Sequence, residues 1–268
     1  MTLERLGIVM KCKKLCSIIE GSYPLNLCED YDNVGLLIGR YDKEISKALI
    51  SLEVTPRVIN EAIENNVDII IVHHPLIFKP LKKISDRGYI ESMVLTLIEN
   101  KIALYASHTN FDSAKNGMND ILSEKLNLNN VSTLEQKDGI VEGIGRVGTL
   151  DRPLAFRDFY ISLKKEFNLS GVIVSGDDTK VINKVAVVGG SGADLIRIAM
   201  KKGCDCIVTG DVKHHIALDF VNQGMCIVDL THFGSEIIFK EHFRKFIEEN
   251  TEIEVILSSS EENPLRIV

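Results

Sequence analysis

Histidine and carboxylate side chains recur directly after apolar segments of this sequence. The clearest case is the segment 67–78, in which four consecutive apolar residues are followed at once by His73 and His74. Such a run predicts a parallel strand that is covered on both faces, and strands of this kind carry functional residues at their carboxyl ends. Buried imidazoles need polar partners, which a metal ion can supply. On these two residues alone, a histidine pair at the start of a solvated loop is an equal alternative.

Similar polar residues follow the other predicted strands. His232 and Glu236 are four positions apart, so they share one face if a helix begins at this point of the chain. The complete set of polar residues at predicted strand ends is His73, His74, His108, Asp112, Asp211, His214, His215, His232 and Glu236. Because the carboxyl ends of parallel strands share one edge of a sheet, we expect these side chains to lie at that edge.

This residue set has the chemistry of a transition-metal site. Histidine nitrogens combined with carboxylate oxygens suit zinc, iron or manganese, and suit calcium or magnesium less well. The candidate metal ligands are His73, His74, Asp112, His232 and Glu236. Five ligands exceed what a single catalytic zinc ion takes from protein, but they suit two ions that share a bridging carboxylate. A centre of two metal ions predicts hydrolytic chemistry, in which the ions activate water.

Proton transfer in such a reaction would fall to a histidine outside the ligand set. His108 and His214 are the candidate catalytic residues, together with His215. Each of the three could instead orient a metal ligand or lie on the surface.

Two further features could bind an anionic substrate. The glycine-rich turn 189–194 could hold a phosphate with its backbone N–H groups, although an ordinary turn between a strand and a helix is the favoured interpretation. Lys79, Lys82 and Lys83 follow the histidine pair and could attract an anion, but a solvated loop explains them equally well.

The composition is that of an ordinary globular protein, with 268 residues of which 45% are hydrophobic and 26% charged. The net charge of -7 argues against a protein that binds the nucleic acid backbone. No apolar run approaches membrane-spanning length, and residues 1–16 lack a signal-peptide pattern, so we expect a soluble cytoplasmic protein.

The six cysteines fit a reducing compartment. Cys12 with Cys16, or Cys204 with Cys206, could form half of a zinc site. No second cysteine pair follows either of them at the spacing of a zinc finger, so this interpretation is the weaker one.

The elements that would position the polar residues form a repeated βαβ unit. The segment 47–54 predicts a strand, Thr55 caps a helix that continues to residue 66, and a second strand follows. The same pattern recurs 137 positions later, so that Asp68 corresponds to Asp205. Two similar halves predict an α/β protein of two similar lobes, 1–130 and 131–268, with the metal site in the cleft between them.

Six blocks of residues occur in order along almost the whole chain. They are Asp32-Asn-Val-Gly-Leu, His73-His-Pro-Leu-Ile-Phe, Ser107-His-Thr-Asn-Phe-Asp112 with Gly117-Met-Asn-Asp, Gly189-Gly-Ser-Gly, Thr209-Gly-Asp with His214-His215, and Thr231-His-Phe-Gly-Ser-Glu236. Together they resemble the GTP cyclohydrolase I type 2 family, the Nif-three-like dinuclear-metal proteins. Longer family members insert an extra domain between the lobes, whereas this chain has only a short join near 135–142.

The resemblance implies two related α/β lobes, two metal ions per subunit and a homohexameric ring built as a trimer of dimers. Matching the motifs assigns the five ligands named above. Glu236 would bridge the ions, His74 and Asp112 would bind one of them, and His73 and His232 would bind the other.

The family name implies a reaction as well. It is the hydrolytic opening of the imidazole ring of GTP, which releases formate and dihydroneopterin triphosphate. A nucleotide or another small molecule would then be the substrate, with no membrane or nucleic acid as partner. The alternative is a metal-binding hexameric scaffold or regulatory protein without catalytic turnover.

Overall fold

Two mixed sheets and a short strand pair make up the β structure of the computed structural model, which describes residues 9–136 and 141–266. The strands are β1 (Met10–Lys11), β2 (Gly35–Ile38), β3 (Glu44–Ile45), β4 (Lys47–Ser51), β5 (Ile69–Val72), β6 (Ala103–Ala106), β7 (Asn129–Gln136), β8 (Gly143–Ala155), β9 (Ile173–Ser175), β10 (Val181–Val187), β11 (Cys206–Thr209), β12 (Cys226–Asp229) and β13 (Glu254–Leu257). The helices are α1 (Cys12–Ser22), α2 (Pro56–Glu64), α3 (Tyr89–Glu99), α4 (Thr109–Ser113), α5 (Met118–Lys125), α6 (Phe156–Glu166), α7 (Ile196–Lys201), α8 (His214–Val221), α9 (His232–Glu236) and α10 (Ile238–Asn250).

The first of two compact units contains the described residues up to Phe111 and the segment Ile238–Glu262. Its five-stranded sheet has the order β13-β4-β5-β6-β2, in which all pairs except β6 with β2 are parallel. Strand β5 lies in the middle with all four residues buried, as its apolar run predicts. Helix α2 begins as predicted, because Thr55 accepts a hydrogen bond from the backbone N–H of Val58.

The second compact unit contains Asp112–Ile237 and the described residues from Asn263 onward. Its six-stranded sheet has the order β7-β8-β10-β11-β12-β9, with β10, β11 and β12 parallel to one another. The core of this unit packs buried side chains of β10, β11 and β12, such as Ala186, Ile207 and Ile227, against those of α7 and α8. The parallel strands therefore end at one sheet edge, where the candidate residues of this unit begin.

Each sheet contains the same local interaction, at positions that lie 137 residues apart in the sequence. Strands β5 and β11 begin at Ile69 and Cys206, and Asp68 and Asp205 directly precede them. The Asp68 carboxylate accepts the backbone N–H groups of residues 46 and 47, where β4 begins. The Asp205 carboxylate accepts those of residues 183 and 184, within β10. The repeated residues thus fix the same strand pairing in each unit.

The division of the chain differs from the boundary that we expected at residue 130. After the second unit the chain returns to the first, because β13 extends the first sheet by pairing in parallel with β4. The join near 135–142 falls partly on residues 137–140, which lie outside the described residues, as do residues 1–8 of the N-terminal segment. None of the helices in the described part of the chain combines the length and apolar character that a bilayer crossing requires.

Candidate metal centre

Three histidine side chains of the first unit come together beyond the carboxyl ends of β5 and β6. His73 and His74 directly follow β5, and His108 lies two residues beyond β6. One potential ligand nitrogen from each of the three imidazoles lies within 4.8 Å of those of the other two. His73 is fully buried, whereas His74 and His108 are partly buried. The sheet edge therefore gathers these histidines into a group that could hold a metal ion.

The rings of the histidine pair are held at their Nδ1 atoms. Nδ1 of His73 lies 2.8 Å from the carbonyl oxygen of Ser107. Nδ1 of His74 lies 2.7 Å from Oε1 of Glu53, in the loop that follows β4. Because a carbonyl or a carboxylate oxygen only accepts, the ring hydrogen lies on Nδ1, and Nε2 carries the lone pair that would ligate a metal ion.

The His108 ring is held by a buried carboxylate. Its Nδ1 lies 2.9 Å from both oxygens of Asp32, whose side chain is 0% exposed. Burial raises the pKa of this carboxyl group, but hydrogen bonds from His108, Thr109 and Asn33, with the charge of His108, lower the pKa to about 2. The Asp32 carboxylate is therefore ionised behind the imidazole.

The second unit brings His232 and Glu236 together at the two ends of α9. Nε2 of His232 lies 3.0 Å from Oε2 of Glu236, whose side chain is 3% exposed. The predicted spacing on one helical face is confirmed. Nδ1 of His232 lies 2.7 Å from Oδ2 of Asp211. This ring too is therefore held at Nδ1, and its Nε2 faces the Glu236 carboxylate.

The backbone that presents His232 is strained. Thr231 and Asp211 have φ angles of 67° and 56°, which are uncommon for residues other than glycine. The buried carboxylate of Asp229 holds both segments in place by accepting the backbone N–H groups of Val212 and Thr231 at 2.8 and 2.7 Å. Strain that the surroundings maintain in this way is typical of functional sites.

Asp112 lies in the short helix α4, and its backbone is held from two sides. Nδ2 of Asn119 donates to the carbonyl oxygen of Asp112 at 2.9 Å. The guanidinium of Arg146, which is 4% exposed, pairs with Asp120 and donates to the carbonyl oxygen of Ala114 at 3.1 Å. These contacts hold the backbone at Asp112 and two residues after it.

The glycine-rich turn that follows β10 uses its N–H groups within the protein. The N–H of Gly189 donates to Asn119, that of Gly190 to Ser235, and that of Gly192 to Thr209. The interpretation as an ordinary turn therefore fits better than a phosphate-binding loop. The turn also approaches Glu236 so closely that a Cβ atom at Gly190 would lie 2.2 Å from Oε1 of that residue.

The remaining candidates are two histidines and two cysteine pairs, and they lie outside the candidate ligand groups. His214 and His215 are exposed at the start of α8, so a catalytic role for either one stays a prediction. Cys12 and Cys16 are buried with their sulfur atoms 4.0 Å apart, and both Cys204 and Cys206 are buried and free. The candidate ligand groups in residues 9–136 and 141–266 consist of histidines and carboxylates, without cysteine.

Sequence reasoning did not single out Asp32 or Glu53 as functional residues. Both are carboxylates that hold a histidine distant in sequence, His108 and His74 respectively. Asp32 lies within one of the recognised sequence blocks, which was the available signal. Glu53 lies inside the segment 47–54 that was predicted to be a strand, but the observed strand β4 ends at Ser51 and leaves Glu53 in the following loop.

Comparison with known proteins gives matches over nearly the full chain. Residues 10–264 match the family model Duf34/NIF3 (NGG1p interacting factor 3). A "GTP cyclohydrolase 1 type 2 homolog" of Clostridium acetobutylicum is 38% identical, over 85% of this chain and 85% of the relative. A protein of the same name from Clostridium perfringens is 36% identical, over 97% of this chain and 100% of the relative.

Solved structures agree with these matches. The Staphylococcus aureus protein SA1388 is 29% identical and superposes with a TM-score of 0.88, over 97% of this chain and 99% of that chain. Reduced HcgD from Methanocaldococcus jannaschii is 34% identical with a TM-score of 0.81, over 94% of this chain and 99% of that chain. The matches in sequence and in fold show that this chain belongs to the Duf34/NIF3 family.

Proposed function

We propose that this protein is a hydrolase that depends on two divalent metal ions. The proposed ligands are His73, His74, Asp112, His232 and Glu236. One observation carries the proposal: each histidine of this set directs Nδ1 to a backbone carbonyl or a carboxylate and so offers Nε2 for ligation. Histidines that bind metals are held in this way, because the outer hydrogen bond fixes the tautomer and the ring orientation.

The donor set fits the proposed metals. Imidazole nitrogens with carboxylate oxygens suit zinc, iron or manganese. Glu236 would hold both ions, since a carboxylate can offer one oxygen to each of two ions. His73, His74, Asp112 and His232 would supply the remaining ligands.

When bound, the two ions supply Lewis acidity, which strengthens water as a nucleophile and polarises the group under attack. Histidine residues of the chain would transfer the protons. His108 can carry a proton at Nε2, because Asp32 holds its Nδ1 and so fixes the orientation of the ring. His214, exposed at the first residue of α8, is the second candidate for proton transfer.

The proposed substrate is GTP, in line with the names of the relatives. Hydrolysis would open the imidazole ring of the base and release formate and dihydroneopterin triphosphate. The exposed residues Lys79, Lys82 and Lys83 follow the histidine pair and provide positive charge that a triphosphate would attract. We further propose a cytoplasmic homohexamer, a ring built as a trimer of dimers, with no membrane or nucleic acid partner.

Formate release tests the proposed reaction. The purified protein is loaded separately with zinc, manganese or iron, incubated with GTP, and assayed for formate. We expect formate with at least one of the metals and none after chelation. Absence of formate with all three metals would favour the alternative, a metal-binding scaffold or regulatory protein without turnover.

Two histidine variants test the assignment of the proton carrier. His108→Gln should lower formate release by at least about 100-fold while the metal content stays unchanged. His215→Gln tests an exposed candidate in the same way, and the parent rate is expected there if His108 carries the proton. A joint loss of metal and activity in His108→Gln would make His108 a ligand instead of a proton carrier.

A further inference from the structure

Polar contacts hold the segment that follows β13 against the rest of the first unit. Glu61 of α2 accepts hydrogen bonds from Ser258, Ser259 and Ser260, including both backbone N–H groups of residues 259 and 260. Lys240 of α10 donates to the carbonyl oxygen of Ser258 at 2.8 Å. These contacts bring the next residue of the segment, Glu261, to a defined position.

Glu261 occupies that position with its carboxylate buried. Its side chain is 2% exposed and pairs with Lys240 at 3.1 Å. Oε1 accepts the hydroxyl of Ser51 at 3.1 Å and the backbone N–H of Glu53 at 2.6 Å. A hydrogen bond from a backbone N–H to an ionised acceptor is short and strong, so the Glu53 backbone is held firmly.

Glu53 in turn holds the His74 ring. The Glu53 carboxylate accepts Nδ1 of His74 at 2.7 Å, and the N–H of His74 donates to the carbonyl oxygen of Leu52 at 3.0 Å. The loop after β4 thus contacts His74 through both its main chain and a side chain. Any shift of the Glu53 backbone would turn or release the imidazole.

We propose that Glu261 is a positioning residue for His74, acting through Glu53. The segment after β13 would thereby fix the orientation of a proposed metal ligand. This inference rests on the proposed function, because His74 is a proposed ligand there. Loss of an outer hydrogen-bond partner of a metal ligand lowers metal affinity by about 10- to 100-fold. Glu261 contacts His74 only through Glu53, so we expect the loss of metal affinity to lie at the lower end of that range.

The variant Glu261→Gln tests the inference with Glu262→Gln as its matched control. Both remove one negative charge from the same segment, but Glu262 contacts the exposed Arg57. Zinc affinity is measured by competition with a chelator. We expect about a 10-fold weaker affinity in Glu261→Gln and the parent affinity in Glu262→Gln; equal affinities in the two variants would overturn the inference.

A second readout distinguishes this inference from the proposed function. Nitrogen NMR of the metal-free protein reports the tautomer and hydrogen bonding of each imidazole, whether or not the protein binds metal. We expect the His74 signals to change in Glu261→Gln while those of His73 and His108 stay in place. Unchanged His74 signals would overturn the role of Glu261, whereas a parent protein without metal affinity would overturn the proposed function alone.

Two further variants separate the proposed role of Glu261 from a general loss of folding and test whether it acts through Glu53. Glu261→Asp keeps the charge beside Lys240 but withdraws the acceptor from Glu53, so it should fold and show the same change at His74. In a Glu53→Ala background, which lacks the intermediate carboxylate, Glu261→Gln should cause no further loss of zinc affinity. A full additional loss in that background would mean that Glu261 does not act through Glu53.

Discussion

Gly190 and Glu236 lie so close that a Cβ atom at Gly190 would be 2.2 Å from Oε1 of Glu236 and 3.1 Å from Nε2 of His232. The glycine is therefore required by the side chains that the turn approaches, in addition to its own φ of 61°. The backbone of the turn defines the space in which the Glu236 carboxylate lies.

Replacement of Gly190 by alanine should impair metal binding. The new methyl group must displace the Glu236 carboxylate, and we expect zinc affinity to fall by at least about 10-fold in a chelator competition assay. Gly203→Ala is the matched control, because Gly203 has a similar φ of 74° but open space around its Cα. The two variants would share the backbone strain, so equal zinc affinities would contradict the steric explanation.

Arg146→Lys should destabilise the second unit. A lysine cannot reproduce the planar group that pairs with Asp120 and donates to the carbonyl oxygens of Gly143 and Ala114. We expect the free energy of unfolding in urea to fall by about 2 to 3 kcal/mol, since several buried carbonyls would lose their donors. Arg152→Lys on the exposed part of the same strand should stay within about 0.5 kcal/mol of the parent.

The contribution of Glu61 to stability should depend on pH. Burial raises the pKa of this carboxyl group, but hydrogen bonds from Ser258, Ser259 and Ser260 lower the pKa from 4.5 to about 2. A carboxyl group with a lowered pKa in the folded state stabilises the protein above its ordinary pKa, and this contribution is lost as the pH falls towards 2.

Denaturant unfolding at several pH values measures this dependence. Glu61→Gln should be less stable than the parent at pH 7, and the difference should shrink between pH 4.5 and about 2. Glu64→Gln removes a charge from an exposed position of the same helix and is the control. A difference between Glu61→Gln and the parent that stays constant over this range would refute the role of the ionised carboxylate.

The sequence predicted those strands and helices that a few neighbouring residues are enough to identify. Four consecutive apolar residues before His73 sufficed to identify β5, and the threonine followed by proline at residue 55 sufficed for the start of α2. The pairing of His232 with Glu236 also followed from local helical spacing. In each case the information lies within a few neighbouring residues.

Contacts between distant residues were not predictable in this way. Asp32 and His108 are 76 positions apart, so nothing near Asp32 in the sequence marks it as the anchor of an imidazole. The return of β13 to the first sheet is of the same kind, because its partner β4 lies about two hundred residues earlier. The chain boundary at residue 130 was expected from two consecutive halves, which cannot reveal such a return.

The proposed function requires this chain to bind two divalent metal ions through histidine and carboxylate ligands. Elemental analysis of gently purified protein, beside the variant Asp112→Ala, tests it most directly. We predict nearly two metal equivalents per chain in the parent and a clear deficit in the variant. A parent protein without bound metal, or a variant with the same metal content as the parent, would contradict the claim.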